Sequence, residues 1–312
     1  MESLILSFEV ICPVFLLLVL GYMIKTLKLA SERTFDEVNK LVFKIFLPVL
    51  LFYNIYKTES SDVFDSKLVV FTIIGVLCIF VLGYLLVFRL SEKNSIRGVM
   101  LQGFFRSNFA ILGVPLVGYI TGSGVSGLAS LMVAFVVPVF NVLAIFTLER
   151  FRGGNVSVKQ LLLGIIKNPL IIGCIFGLVF FIFKLKLPYV LDKTVTDISK
   201  IATPLSLVVL GAKFTFSSIK GYVREIVITV SSRLVLVPLI LLTAAVLLGF
   251  RGEALACILI TFGSPVAISS YAMAQQMGGD ETLAGHLVVI SSAFCMLSLF
   301  LWIFILNFLG LF

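Results

Sequence analysis

Hydrophobic residues run through this chain in blocks of about 20, separated by short polar connectors. A helix needs about 20 mostly apolar residues to cross the hydrocarbon core of a bilayer. The pattern therefore predicts an all-α integral membrane protein. We place ten transmembrane helices, numbered here as spans one to ten, near residues 4–24, 36–56, 68–88, 98–120, 126–148, 160–183, 195–212, 225–248, 254–277 and 282–310.

Span four contains a polar interruption near its middle. Arg106, Ser107 and Asn108 stand inside the apolar run, and Gly113 and Pro115 follow within seven residues of Asn108. Gly weakens a helix and Pro breaks its hydrogen-bond ladder. Interrupted backbone at bilayer depth is tolerated only where neighbouring protein or a polar cavity satisfies the freed N–H and C=O groups. The stretch predicts a broken helix beside a cavity.

The second half of the chain resembles the first. Shifting the sequence by half its length, 156 residues, superimposes Pro48 on Pro204 and repeats several other positions. Weak internal symmetry of this kind is what transporter repeats leave. We predict two five-helix units, residues 1–156 and 157–312. Because five is odd, the second unit enters the membrane upside down relative to the first, which makes an inverted repeat.

Span nine carries the matching interruption. The same shift places Ser264 opposite Asn108. In inverted-repeat transporters such broken helices cross near the midplane, where half-helix N-termini attract an anion and freed carbonyls face a cation. We predict that spans four and nine cross in this way. The predicted crossover residues are Gly113, Pro115, Gly263 and Pro265.

Polar side chains near the two breaks form the candidate site. An amide or hydroxyl at this depth needs a partner, which is either a substrate or a hydrogen bond that holds helices together. The residues predicted to bind substrate are Asn108, Ser107, Arg106, Ser264, Ser269 and Ser270. The candidates for an ion site or for support of the site are Gln102, Tyr271, Gln275 and Arg233.

Two arginines lie deep in predicted spans. Arg106 stands about nine residues past the connector at Arg97, which corresponds to about 13 Å of helix. The spans hold almost no carboxylates that could pair with it. The side chain either extends along its helix to the membrane surface or neutralises an anionic substrate. Arg233 in span eight is interpreted in the same two ways.

Composition and charge fit a membrane protein. Of the 312 residues, 60% are hydrophobic and 13% charged, and the mean hydropathy is +1.17. The net charge of +8 is spread over connectors, without a basic cluster interleaved with aromatics that would suggest nucleic acid. Connectors after odd-numbered spans carry twelve cations and those after even-numbered spans six. The positive-inside rule then predicts a multi-pass protein of the cell (inner) membrane with both termini outside the cytoplasm.

The predicted spans lack the residue combinations that enzymes use for catalysis. They contain no paired His ligands, no Asp pair and no Ser–His arrangement, and the five Cys show no metal-ligand spacing. We predict a protein that is not an enzyme and that uses no cofactor and no metal.

Ser107-Asn108-Phe109 together with Gly113-Val114-Pro115, in a chain of ten predicted spans, resembles the auxin efflux carrier family. That family includes plant auxin exporters and bacterial carriers of malonate, malate and similar carboxylates, and the chain is similar to the bacterial members. The resemblance implies a fold similar to the bile-acid sodium symporters. In that fold, spans one, two, six and seven form a scaffold, and spans three to five and eight to ten form a mobile core. The symporters use an acidic residue in span nine for sodium, whereas this span has none between Glu253 and Asp280.

The resulting prediction is a secondary transporter that exports a small mono- or dicarboxylate by elevator-like alternating access around a midplane site. One alternative is a sodium-coupled organic anion symporter of the bile-acid type, and another is an anion channel. The expected partners are the organic anion and the lipid bilayer, with H⁺ or Na⁺ as candidate coupling ions, a homodimer as candidate assembly and no nucleic acid.

Overall fold

The computed structural model describes residues 2–58, 65–121, 127–153 and 158–312. These residues fold into helices, and the one strand-like pairing among them is an isolated antiparallel bridge between Ser107 and Val266. Within the described part, six helical runs are long and apolar enough to span a bilayer, and three further apolar helices are shorter. The protein is a nearly all-helical membrane protein. The ten-span inverted repeat stays a prediction.

The helices are numbered in chain order. Their bounds are α1 Glu2–Thr26, α2 Glu32–Leu41, α3 Leu47–Tyr56, α4 Ser66–Leu90, α5 Asn94–Phe105, α6 Phe109–Thr121, α7 Gly127–Phe151, α8 Val158–Ile166, α9 Pro169–Ile182, α10 Tyr189–Lys213, α11 Val223–Ser231, α12 Val237–Leu247, α13 Gly252–Gly263, α14 Ser269–Met277 and α15 Glu281–Phe308. One π-helical turn, Val42–Phe46, joins α2 to α3, and another, Ser232–Leu236, joins α11 to α12. A 3₁₀ helix, Phe216–Gly221, precedes α11.

Helix starts are set by side chains that cap exposed backbone N–H groups. Ser31 accepts a hydrogen bond from the backbone of Thr34, and Asp65, Asn168 and Asp280 accept equivalent bonds at the starts of α4, α9 and α15. These short polar side chains satisfy donors that have no partner inside the helix. The connectors therefore fix where the apolar helices begin.

Helices in the second half of the chain begin at a nearly constant number of residues after helices in the first half. α11 begins at Val223, 157 residues after α4 begins at Ser66, and α13 begins at Gly252, 158 residues after Asn94 begins α5. Such recurrence is what duplication of a helical unit produces. The boundary between residues 156 and 157, and the division into scaffold and mobile core, stay predictions.

Glycines allow two helix pairs to approach closely. α1 packs on α10, where a Cβ on Gly21 would lie 1.9 Å from the Val208 carbonyl oxygen and one on Gly211 would lie 2.0 Å from that of Leu18. α3 packs on α9, where Gly173 of α9 lies against the backbone of Pro48 in α3. Small residues at such contacts let backbones pack tightly, which favours a rigid unit.

Ion pairs join the two ends of α10 to α3 and to α2. Lys57 Nζ lies 2.9 Å from the Asp192 carboxylate, a hydrogen bond that raises the pKa of Lys57. At the other end of α10, Lys213 Nζ lies 3.0 Å from Glu32 and 2.8 Å from Asp36. Exposed pairs contribute at most about 1 kcal/mol each, so they mainly set the register of α10 against α2 and α3.

Candidate functional site

Two helical runs are broken at the same depth of the molecule. α5 ends at Phe105 and α6 begins at Phe109, while α13 ends at Gly263 and α14 begins at Ser269. The backbone between the half-helices is extended rather than helical at the ends of both α5 and α13. Each break lies at an interruption predicted from the sequence.

The two extended segments run antiparallel and hydrogen-bond to each other. The Asn108 amide donates to the Pro265 carbonyl at 3.0 Å, and the Ala267 amide donates to the Arg106 carbonyl at 3.4 Å. The Ser291 hydroxyl accepts from one further amide of the second segment. These bonds satisfy several of the backbone groups that the breaks free, which burial away from water makes favourable.

Arg106 lies at this crossing with 3% of its surface exposed. Its Nη2 donates to Asn141 Oδ1 at 2.7 Å and to Ser269 Oγ at 3.0 Å. Its Nη1 lies 3.4 Å from acceptors on both Gln102 and Ser270. Within the described residues no carboxylate pairs with this guanidinium. The side chain does not extend to the membrane surface, so its charge remains in the interior without a counter-charge from the described protein.

A small cavity of about 50 Å³ lies beside Arg106. Apolar side chains of α3, α7 and α9 form much of its wall. Ser107 contributes a hydroxyl that is buried and has no hydrogen-bond partner in the described structure. The polar lining consists of Asn54, Arg106, Ser107, Asn108, Asn141, Thr203, Ser206 and Ser269.

Two helix N-termini also face this cavity. α6 starts directly after Asn108, and α14 starts at Ser269, and both residues line the cavity. The first N–H groups of a helix lack intrahelical partners and carry partial positive charge. Together with Arg106 they give the cavity a positive potential, and among the described residues none that lines it is acidic.

Arg233 also lies at the crossing, is fully buried and does not belong to the cavity lining. Its Nε donates to the Ser264 carbonyl at 2.9 Å and its Nη2 to the Thr261 carbonyl at 2.8 Å. Its Nη1 donates to the carbonyls of Phe104 and Phe105 at 3.3 and 3.2 Å. One side chain therefore caps the C-terminal ends of both α5 and α13.

Comparison with known proteins identifies the family of this chain. The sequence profile of the family described as "Membrane transport protein" matches residues 6–155 and again residues 154–303. The chain belongs to this membrane transport family. The family is of the auxin efflux carrier type, so the resemblance noted in the sequence is confirmed.

Two relatives cover almost the whole chain. An uncharacterized transporter of Methanocaldococcus jannaschii is 27% identical over 306 residues, which is 96% of this chain and 98% of the relative. An uncharacterized transporter of Methanothermobacter thermautotrophicus is 24% identical over 303 residues, 95% of this chain and 97% of the relative. The family makes this chain a transporter and gives no sign of an enzyme.

For this transporter, several predicted site residues lie together and others do not. Arg106, Ser107, Asn108 and Ser269 share the cavity. Ser264 is buried but is absent from the cavity lining, and its described hydrogen bonds are made by its backbone. Their roles in binding stay predictions.

The other predicted residues lie at different places around the crossing. Ser270 and Gln102 line a small neighbouring space, and the Tyr271 hydroxyl is buried with no hydrogen-bond partner in the described part of the chain. Gly263 ends α13 and Pro265 accepts the hydrogen bond at the crossing. Gly113 and Pro115 lie within α6 rather than in the break, which precedes them at residues 106–108. The side chain of Pro115 lies outside the described part of the structure.

Gln275 lies at the far end of α14, away from the cavity. Its Nε2 donates to Asp36 Oδ1 at 2.9 Å, and its Oε1 accepts from the Asn39 side chain. These bonds join α14 to α2. Gln275 is therefore a link between helices in this structure.

The sequence interpretation missed four polar residues of the cavity lining, which are Asn54, Thr203, Ser206 and Asn141. Of these, Asn141 is the one that contacts Arg106. It stands in span five among apolar neighbours, and its Oδ1 makes the shortest oxygen contact to Arg106. A lone amide within a transmembrane span is costly unless paired. That rule applied to span five would have selected Asn141.

Proposed function

We propose that this transporter carries small organic anions, with mono- or dicarboxylates as the substrate class. The observation that carries the proposal is the buried Arg106 beside a cavity whose described lining contains no acidic residue. A buried cation is strongly disfavoured unless an opposite charge is near. A carboxylate in the cavity would supply that charge.

The polar groups at the cavity suit a carboxylate. Arginine binds carboxylates through charge-assisted hydrogen bonds, which are stronger than neutral ones. The unpaired hydroxyl of Ser107 and the N-terminus of α6 beside Asn108 supply further donors. The positive potential of the two helix N-termini adds selectivity for an anion over a neutral solute.

Alternating access by an elevator-like movement is part of the proposal. The close contacts of α1 with α10 and of α3 with α9 support a rigid scaffold, while the hydrogen-bonded crossing supports a second rigid body. An anion that leaves a negative-inside cell gains about 2.3 kcal/mol per charge per 100 mV. Export therefore needs no coupled ion, which supports efflux as the direction.

Reconstitution into liposomes tests the proposal. We expect wild-type protein to take up labelled malonate with saturation and to exchange it in counterflow. Flux that rises linearly with concentration and shows no counterflow would instead indicate a channel. Uptake no greater than in empty liposomes for malonate, malate and a monocarboxylate such as acetate would refute the carboxylate proposal.

A sodium-coupled symporter is distinguished by the same assay. Replacing sodium by choline on both sides would abolish concentrative uptake by a symporter. The carrier proposed here retains its uptake. The matched variant is Arg106→Met, which keeps a long side chain but removes the charge, and it should lose transport under every ionic condition.

A further inference from the structure

Arg233 makes an unusual set of contacts for a buried cation. All four of its described acceptors are backbone carbonyl oxygens, and all belong to the last turns of α5 and α13 or to the residue that follows. No carboxylate of the described residues pairs with it. Its partners are therefore helix C-termini rather than an anionic side chain.

The charges at this point balance. Each helix C-terminus carries about half a negative elementary charge, because its last carbonyls have no intrahelical partner. Two such ends meet at Arg233, which gives about one negative charge in total. The guanidinium supplies one positive charge, so the site is neutral without any further ion.

A cluster of carbonyl oxygens at the ends of broken helices is also a site for a small cation. Unwound carbonyls and half-helix C-termini coordinate sodium or protons in transporters with broken helices. The geometry therefore offers the same ligands that a coupling cation would use. Here the Arg233 side chain already binds them.

The local backbone keeps Arg233 in that position. Arg233 belongs to the π-helical turn that precedes Pro238. Proline cannot donate to the carbonyl four residues earlier, which belongs to Leu234. Ser298 and Trp302 donate to that oxygen instead, at 2.8 and 3.0 Å. The turn is thus held by α15 and presents Arg233 to the crossing.

We infer that Arg233 is a tethered cation that occupies the place of a dissociable coupling cation at the crossing, so that this carrier works without sodium. The inference rests on the proposed transport function, since coupling has a meaning only in a carrier. A guanidinium is charged at any physiological pH and cannot dissociate from the chain. The half-helix C-termini are therefore neutralised in every step of the cycle.

The test removes the tethered cation and offers free cations in its place. Purified Arg233→Ala protein is unfolded thermally, without substrate, in choline, sodium, potassium or millimolar guanidinium chloride at equal ionic strength. We expect a lower unfolding temperature than for wild type in choline, and a recovery by several degrees in guanidinium or sodium. Wild-type protein should show no difference between sodium and choline.

Arg106→Ala is the matched control, because it removes an equally buried arginine from the same crossing. Its partners are side chains rather than a carbonyl cluster, so no cation-selective recovery is expected. If Arg233→Ala does not fold, Arg233→Gln is used instead, since it removes the charge but keeps two of the five N–H donors. Cation effects on Arg233→Gln no larger than those on Arg106→Ala, or sodium stabilisation of wild type, would overturn the inference.

Transport measurements separate this inference from the proposed function. Malonate uptake by wild type should be equal in sodium and in choline, and uptake by Arg233→Gln should become dependent on sodium or guanidinium. Absence of carboxylate transport by wild type would refute the proposed function alone. The cation series on substrate-free protein would still decide the role of Arg233.

Discussion

The backbone amide of Asn108 donates a hydrogen bond to the carbonyl of Pro265, 3.0 Å away and 157 residues later in the chain. Neither group belongs to a helix, and each would be an unsatisfied polar group in hydrocarbon without the other. The bond therefore ties the two broken helical runs together at their weakest points. The bond makes the crossing a single rigid unit, which holds Arg106 and the two helix N-termini in fixed positions relative to each other.

The first prediction concerns the charge of Arg106. Arg106→Met should weaken malonate binding by about 10-fold to 100-fold, because a hydrogen bond to a charged group contributes about 1.5–3 kcal/mol. Thermal stabilisation by malonate measures this effect. Arg33→Met removes an exposed cation from α2 and should bind like wild type. Equal stabilisation of Arg106→Met and wild type would show that the anion binds elsewhere.

The second prediction compares two serines at the crossing. Both hydroxyls are buried without a hydrogen-bond partner in the described structure, but Ser107 lines the cavity and Ser264 does not. Ser107→Ala should raise the malonate concentration needed for half-maximal stabilisation by about 3-fold to 10-fold, the effect of one hydrogen bond of about 1 kcal/mol. Ser264→Ala should leave it unchanged. A larger effect of Ser264→Ala would place the substrate beside Ser264, outside this cavity.

The third prediction concerns the link between α14 and α2. Gln275→Ala removes the bonds to Asn39 and Asp36 and leaves the buried Asn39 amide unpaired, at a cost of about 1–3 kcal/mol. Amide hydrogen exchange in residues 32–41 should become faster. Gln276→Ala is the control, since this neighbour makes no hydrogen bond through its side chain within the described structure. Unchanged exchange in Gln275→Ala would mean that the link does not hold α2.

The fourth prediction concerns helix packing. A methyl group on Gly21 would overlap the Val208 carbonyl, so Gly21→Ala should destabilise the protein by about 1–3 kcal/mol and lower its unfolding temperature. Gly221→Ala is the control, because no described atom lies within 4 Å of the added methyl. If both variants unfold at the wild-type temperature, α1 and α10 do not pack as closely in the membrane as they do here.

Helix positions were predictable because hydropathy and breaking residues act locally. The polar run at Arg106 marked the break in span four, and Pro265 marked the break in span nine. α10 begins at Tyr189, six residues before the predicted start of span seven. Its first two turns include Asp192 and Lys193, so its beginning is too polar for a hydropathy pattern to reveal.

The sequence by itself determined the class of the protein, the two interruptions and the family, because each depends on residues that are neighbours along the chain. It could not separate Arg106 from Arg233, since both are lone cations at similar depth in apolar spans. Only the tertiary structure directs Arg106 towards side chains at a cavity and Arg233 towards four backbone carbonyls. The rotation of each helix and the partners that distant segments bring to it decide that difference.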